Sequence, residues 1–146
     1  MKIETFYTQG ESTLNYDPSV PCIIVNNVGF ATSEEFRALL NKGLEFLIEK
    51  QKIHGKIGWL SNLVQADAYS EDDMKWVATD FDARAYEAGV RHVSFVLAED
   101  AYAFANFSAE TYQKYSQEEI GEKIVIRNFK DEASAKAWLR EVLSRQ

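Results

Sequence analysis

Carboxylates are the most frequent ionisable side chains in this sequence, and six of the 23 lie between Glu71 and Glu87. The acids Glu71–Asp73 are followed by Asp80, Asp82 and Glu87. A calcium or magnesium site would need several of these oxygens to converge on one ion. Acids in a first helical turn instead complement the positive end of the helix dipole, and we expect the later three on a solvated helix face. The pattern therefore predicts no metal site.

Potential nucleophiles and bases are few. His54 and His92 are the only histidines, and a general base needs a nucleophile or carboxylate that the sequence does not identify. Both lie at predicted ends of elements, where a surface imidazole fits. Cys22, the sole cysteine, precedes Ile-Ile-Val, so we expect a buried, unreactive thiol. With no phosphate-binding glycine loop either, the sequence predicts a protein that is not an enzyme and has no cofactor.

The composition is that of a folded domain with an acidic surface. The chain has 146 residues, 46% of them hydrophobic and 27% charged, and a net charge of −7. This length suits one domain over residues 1–146. The negative charge disfavours nucleic acid, whose phosphates need a basic face. No apolar run approaches the roughly 20 residues of a membrane span, and the lone cysteine and the absence of a secretory signal predict a cytoplasmic protein.

Hydrophobic periodicity predicts a strand-rich N-terminus followed by alternating helices and strands. Pro18 and Pro21 exclude helix before residue 22 and favour an antiparallel meander. The later alternation implies parallel strands joined by right-handed crossover helices. The expected fold class is therefore α/β with a mixed sheet. The expected strands cover residues 3–8, 13–16, 22–28, 56–60, 91–97 and 123–127, the expected helices 32–55, 70–89 and 131–144, and one or two short helices are expected within 99–116.

The segment Asn62–Ser70 is the first candidate site. It is expected as a loop that leaves the carboxyl end of a strand and enters a helix, where open α/β sheets place their ligand sites. Asn62, Asp67 and Ser70 are the candidates for an interaction or phosphorylation site, since free amides at a helix N-terminus favour an anion. The simpler alternative is that Ser70 only caps the helix.

The segment Glu99–Ser116 is the second candidate site because it is rich in aromatic residues. Tyr102, Phe104 and Phe107 are the candidates for a ligand pocket. They could form a lid over an apolar pocket or part of a partner surface. Alternatively, they pack on the edge of the sheet as ordinary core residues.

Five segments of the chain resemble the STAS superfamily, the sulfate transporter and anti-sigma-factor antagonist domains, and within it the stand-alone bacterial branch described as STAS/SEC14-like. They appear in the expected order and span most of the sequence. None of them is a catalytic signature. The matching segments are residues 28–36 (VGFATSEEF), 58–62 (GWLSN), 70–76 (SEDDMKW), 88–96 (AGVRHVSFV) and 129–139 (FKDEASAKAWL).

The resemblance implies a four- to five-stranded sheet used for regulation through protein–protein contacts. Anti-sigma-factor antagonists carry Asp-Ser-Ser-Gly with a phosphorylatable serine, whereas this chain reads Asp-Ala-Tyr-Ser over Asp67–Ser70. The leading hypothesis is a regulatory module with a protein partner or a second copy of itself, in which case a dimer would form. The second is a binder of a small apolar or amphipathic ligand, which the SEC14-like label also implies. An enzyme based on one of the histidines is the third.

Overall fold

A six-stranded mixed sheet forms the centre of the computed structural model, which describes residues 2–100 and 103–145. The strands lie side by side in chain order. The first three pair antiparallel, and the third to sixth pair parallel. The expected α/β class, with an N-terminal meander and parallel crossovers, is therefore confirmed. The strands are β1 (Glu4–Gln9), β2 (Ser12–Asp17), β3 (Cys22–Gly29), β4 (Gly58–Ala66), β5 (His92–Val96) and β6 (Val125–Phe129).

Helices connect the parallel strands. The first begins with a capping box, in which Thr32 Oγ1 accepts from the Glu35 N–H and the Glu35 carboxylate accepts from the Thr32 N–H. The crossover from β4 to β5 is a helix interrupted by a π-helical turn over Val77–Phe81. The helices are α1 (Ser33–His54), α2 (Glu71–Trp76), α3 (Asp82–Glu87), α4 (Phe104–Glu119) and α5 (Glu132–Ser144), with a 3-10 turn over Gly121–Lys123.

The two faces of the sheet are covered unequally. Alternate strand residues point to opposite faces, so Ile23 and Trp59 pack against α1–α4 while Ile24 and Leu60 pack against α5. We call these the α1–α4 face and the α5 face. Four helices bury the first face and one helix buries the second. The larger core, and with it the room for a cavity, therefore lies on the α1–α4 face.

β4 is longer than the sequence indicated. The strand was expected to end at Leu60, but it continues to Ala66 because its later residues still pair with β3. The expectation that Asn62 lies in a loop is therefore wrong, and the connection to α2 shortens to residues 67–70. In the described part of the aromatic segment Glu99–Ser116, one helix, α4, begins at Phe104 and continues past the segment to Glu119.

Candidate functional site

The parallel strands end at one edge of the sheet, which we call the carboxyl edge. It comprises the last residues of β3–β6 and the residues that follow them, at 30–32, 67–70, 97–100 and 130–131. The Asp67 N–H donates to the Gly29 carbonyl at 3.1 Å and joins the ends of β3 and β4. Ligand sites of open α/β sheets lie beyond the carboxyl ends of the strands where the strand order reverses, whereas the strand order of this sheet does not reverse.

Ser70, Asp67 and Asn62 each bond to a nearby backbone amide. Ser70 Oγ accepts from the Asp73 N–H at 3.1 Å, which makes it the N-cap of α2. Asp67 Oδ1 accepts from the next amide at 2.8 Å, and Asn62 Oδ1 from the amide two residues later at 3.0 Å. All three side chains stabilise their local backbone, and Asn62 lies apart from the other two, within a strand.

An open groove of about 430 Å³ lies between α2 and α4, and we call it the α2–α4 groove. Phe104 and Phe107 line it and are 70% and 49% exposed, while Tyr102 lies outside the described residues. The Tyr115 hydroxyl donates to Glu71 Oε1 and adds a polar wall. The groove volume falls in the range of about 300–1,000 Å³ that is usual for small-molecule sites. Its lining residues are Ala68, Tyr69, Glu71, Met74, Phe104, Phe107, Ser108, Thr111, Lys114 and Tyr115.

Tyr69 and Met74 separate this groove from a second space inside the protein. Both residues belong to the lining of the groove and to the lining of the interior cavity. The Tyr69 N–H donates to Ser108 Oγ at 2.9 Å, and the Ser108 hydroxyl donates to the Tyr69 carbonyl at 3.3 Å. The Tyr69 ring packs against Phe36, with centroids 4.5 Å apart. The two spaces therefore meet at Tyr69 and Met74.

The interior cavity lies between the sheet and the helices of the α1–α4 face. Its volume of about 60 Å³ exceeds the roughly 10–15 Å³ that one water needs but is below the roughly 150 Å³ of an engineered cavity that binds benzene. Its wall is mostly apolar and includes six aromatic residues, among them Trp59, which lies edge-on to Phe81 at 5.4 Å between centroids. The lining residues are Asn27, Phe36, Leu40, Trp59, Ser61, Leu63, Tyr69, Met74, Val77, Phe81, Asp82, Ala85, Val90, Val93, Phe95, Ala109 and Tyr112.

Asp82 is the only one of these cavity-lining residues, all in the described part of the chain, that has a carboxyl group. Its side chain is buried, with 3% of the residue exposed. The Tyr112 hydroxyl donates to its two oxygens at 2.9 and 3.0 Å, and the Ser116 hydroxyl donates to Oδ2 at 2.9 Å. Burial raises the pKa of Asp82 to about 7, and the hydrogen bonds from Ser116 and Tyr112 oppose that rise.

The expectation that Asp82 lies on a solvated face is therefore wrong. The π-helical turn immediately precedes it, with the Asp82 N–H bonded to the Val77 carbonyl five residues earlier, and both Phe81 and Asp82 line the cavity. The sequence contains a signal for this burial. Asp82 follows the inward Ala78 by four residues and precedes the inward Ala85 by three, so it lies on the apolar stripe of the helix.

Three exposed phenylalanines lie at the carboxyl edge, and we call them the edge patch. Phe30 is 74% exposed in the segment after β3, whereas Val64, which is 46% exposed near the end of β4, lines a different pocket beside Asp131 and Glu132 at the start of α5. Phe104 and Phe107, at the start of α4, complete the set. Groups of exposed apolar side chains in one region often mark a binding surface.

The remaining sequence candidates lie away from this region. Cys22 is fully buried, as expected, and burial raises the pKa of its thiol to about 12, which disfavours the nucleophilic thiolate. His54 is exposed, whereas the His92 ring is half-buried and packs edge-on against Trp138 at 5.6 Å. Within residues 2–100 and 103–145, no cluster of three or more His, Cys, Asp or Glu side chains could hold a metal ion.

Comparison with family models, with curated proteins and with solved structures finds no match to this chain. Among the described residues, no helix has the length and apolar character needed to cross a membrane.

Proposed function

We propose that this protein is a non-enzymatic, cytoplasmic regulatory module that binds another protein through its carboxyl edge. The observation that carries the proposal is the edge patch of Phe30, Phe104 and Phe107. An exposed phenylalanine gains free energy when a partner covers it, and aromatic residues are enriched where proteins bind one another. The resemblance to bacterial STAS domains supports the same kind of role.

The charge around the patch indicates the chemistry of the partner. Exposed acids follow β3, β4 and β5 at the carboxyl edge, and the whole chain carries a net charge of −7. An apolar segment flanked by lysines and arginines would cover the phenylalanines and complement these acids. The flanking acids are Glu34, Glu35, Asp67, Glu71, Glu99 and Asp100.

A library of amphipathic peptides with basic or acidic flanks tests this proposal directly. We expect the basic-flanked peptides to bind, and the double variant Phe30→Ser/Phe104→Ser to lose that binding. Ile53→Ser is the matched control, because Ile53 is 73% exposed but lies at the far end of α1. Equal binding by both variants, or equal selection of acidic-flanked peptides, would contradict the proposal.

A second copy of the chain is the other protein that could cover the patch. Light scattering on the purified protein distinguishes the two cases, since a dimer that dissociates in Phe30→Ser/Phe104→Ser and persists in Ile53→Ser would identify self-association.

The second candidate function is the binding of a small amphipathic ligand. It is favoured by one observation, which is that the α2–α4 groove and the interior cavity share the wall formed by Tyr69 and Met74. Tyr69 lies in the loop over residues 67–70, and methionine side chains adapt readily to a ligand. A shift of this wall would join the two spaces.

Native mass spectrometry of freshly purified protein should show a retained ligand, and an apo spectrum with no hit in a lipid panel would exclude this function.

A further inference from the structure

Asp82 is a buried acid without a cation beside it. In the described part of the chain it makes no ion pair, and its side-chain donors are the hydroxyls of Tyr112 and Ser116. A carboxylate offers about four acceptor positions, whereas these two hydroxyls supply two protons. A positively charged donor in the cavity would therefore meet unfilled acceptor positions and an uncompensated charge.

The cavity wall suits the same kind of ligand. Trp59, Phe81 and Phe95 line the cavity together with Asp82. Aromatic faces attract organic cations, and the attraction grows when water is excluded. The acids that flank the carboxyl edge would also raise the local concentration of a cation.

We propose that Asp82 is the counter-ion for a primary alkylamine, whose ammonium group lies in the cavity and whose apolar chain passes Tyr69 and Met74 into the α2–α4 groove. This inference rests on the second candidate function and names the class of its ligand. The cavity alone, at about 60 Å³, holds a group of only a few atoms. A longer chain extends into the groove, where Phe104 and Phe107 provide apolar contacts.

The geometry explains how the ammonium would be held. It would donate to the carboxylate positions that Tyr112 and Ser116 leave free, and these two hydroxyls would keep the carboxylate oriented. The ammonium group has three donors and pairs its charge with the carboxylate, and charge-assisted hydrogen bonds are roughly twice as strong as neutral ones. An alcohol of the same length would make the same chain contacts and could donate one hydrogen bond to Asp82, but it would leave the carboxylate charge unpaired.

The test compares n-octylamine with 1-octanol at near-physiological salt. Calorimetry gives the affinities, and the indole N–H signal of Trp59 in NMR spectra reports binding at the cavity. We expect the amine to bind about tenfold or more tightly than the alcohol. The preference should disappear in Asp82→Asn, which keeps the shape of the side chain and its hydrogen bonds to Tyr112 and Ser116.

Asp80→Asn is the matched control. It removes one negative charge from the same helical crossover, but Asp80 is exposed and pairs with Arg84 at 2.9 Å. The amine preference should persist in this variant. If both variants lost the preference for the amine, or if Asp82→Asn kept it, the preference would come from surface charge. Either result would overturn the inference.

The remaining outcomes separate the inference from the function on which it rests. Equal binding of amine and alcohol, both shifting the Trp59 signal, would overturn the amine assignment and leave the ligand-binding function standing. Binding of neither compound would count against both.

Discussion

Asp17 and Asp82 are both buried carboxyl groups, but they lie on opposite faces of the sheet and in opposite electrostatic settings. Asp17 accepts from Lys136 Nζ at 2.8 Å and from the amide and hydroxyl of Ser19 at 2.9 and 2.6 Å. Although burial alone would raise its pKa, these bonds hold the pKa of Asp17 below its usual value. Asp82, which receives only hydroxyl donors, has its pKa raised to about 7.

This difference in electrostatic setting indicates a structural role for Asp17 and a candidate ligand-binding role for Asp82. The Asp17–Lys136 pair ties β2 to α5. Each charge is compensated by the other, so neither group requires a charged ligand. On the α1–α4 face the charge of Asp82 is left uncompensated next to a cavity. A strongly shifted pKa in a cavity is a recognised indicator of a functional site, whereas a compensated pair indicates structure.

Removal of the anchoring cation should have the largest effect. Lys136→Met keeps much of the aliphatic stem but leaves Asp17 buried without its counter-charge, and we expect a loss of about 3 kcal/mol in the free energy of unfolding. Urea denaturation measures it. The double variant Asp17→Asn/Lys136→Met should recover most of the loss, because it removes both charges. A loss below about 1 kcal/mol in the single variant would show that solvent compensates Asp17, and the comparison with Asp82 would then fail.

The pH dependence of stability should be the second largest effect. The folded-state pKa of Asp82, about 7, exceeds its ordinary value of 3.8. The folded protein therefore binds more protons than the unfolded chain between these values, so the contribution of Asp82 to stability falls as pH rises through this window. From about pH 5.5 to pH 8 the fall should amount to about 2 kcal/mol, at roughly 1.4 kcal/mol per pKa unit.

Asp82→Asn isolates this contribution. The difference in unfolding free energy between variant and wild type should shift in favour of the variant by about that amount when urea denaturation at the two pH values is compared. Background titrations cancel in the difference, and the Tyr112 phenol does not interfere since burial raises its pKa further above 10. A difference that does not change with pH would mean that Asp82 is already ionised at the lower pH.

The sequence could predict the fold because its signals are local. The capping residues Thr32 and Ser70 and the glycines that end helices mark the boundaries, and the alternation of strands and helices implies the parallel part of the sheet. The extra residues of β4 were not predicted, because the polar Ser61, Asn62 and Gln65 interrupt the apolar pattern and are held in the strand by pairing with β3. Pairing between strands depends on tertiary structure rather than on local propensity.

The candidate site was only partly predictable. Phe104 and Phe107 were singled out by aromatic density, and they lie in a groove. Asp82 was assigned, with Asp80 and Glu87, to a solvated face because acids of a helix commonly lie there. Its position on the apolar stripe indicated burial, but its partners Tyr112 and Ser116 lie at least 30 residues away in the chain. Only the tertiary structure brings them together.

The two faces of the sheet also differ in how tightly they pack against a glycine, Gly43 on the α1–α4 face and Gly58 on the α5 face. A Cβ on Gly43 of α1 would lie 2.7 Å from Trp59 Cη2, whereas one on Gly58 would lie 3.1 Å from Leu139 Cδ2 on α5. Trp59 is fixed by its bond to Ser61 Oγ at 3.1 Å, while a leucine methyl group can shift. After the gain in helix propensity, Gly43→Ala should cost about 1–2 kcal/mol. Thermal unfolding should show a much smaller destabilisation for Gly58→Ala. Equal destabilisation by the two substitutions would mean that the packing on both faces adjusts equally well to an added methyl group.

The smallest effects concern the hydroxyls that serve the two carboxyl groups. Ser116→Ala removes one of the two donors of Asp82, so it should raise the pKa of Asp82 further and cost about 1 kcal/mol above pH 7, where the carboxylate needs that donor. The cost should shrink below pH 6, because the protonated acid needs fewer donors. Ser19→Ala should cost no more than about 0.5 kcal/mol at either pH, because Asp17 retains Lys136 and the Ser19 amide. Urea denaturation at two pH values measures both variants, and a pH-independent cost for Ser116→Ala would show that Ser116 acts by packing and not by supporting the charge of Asp82.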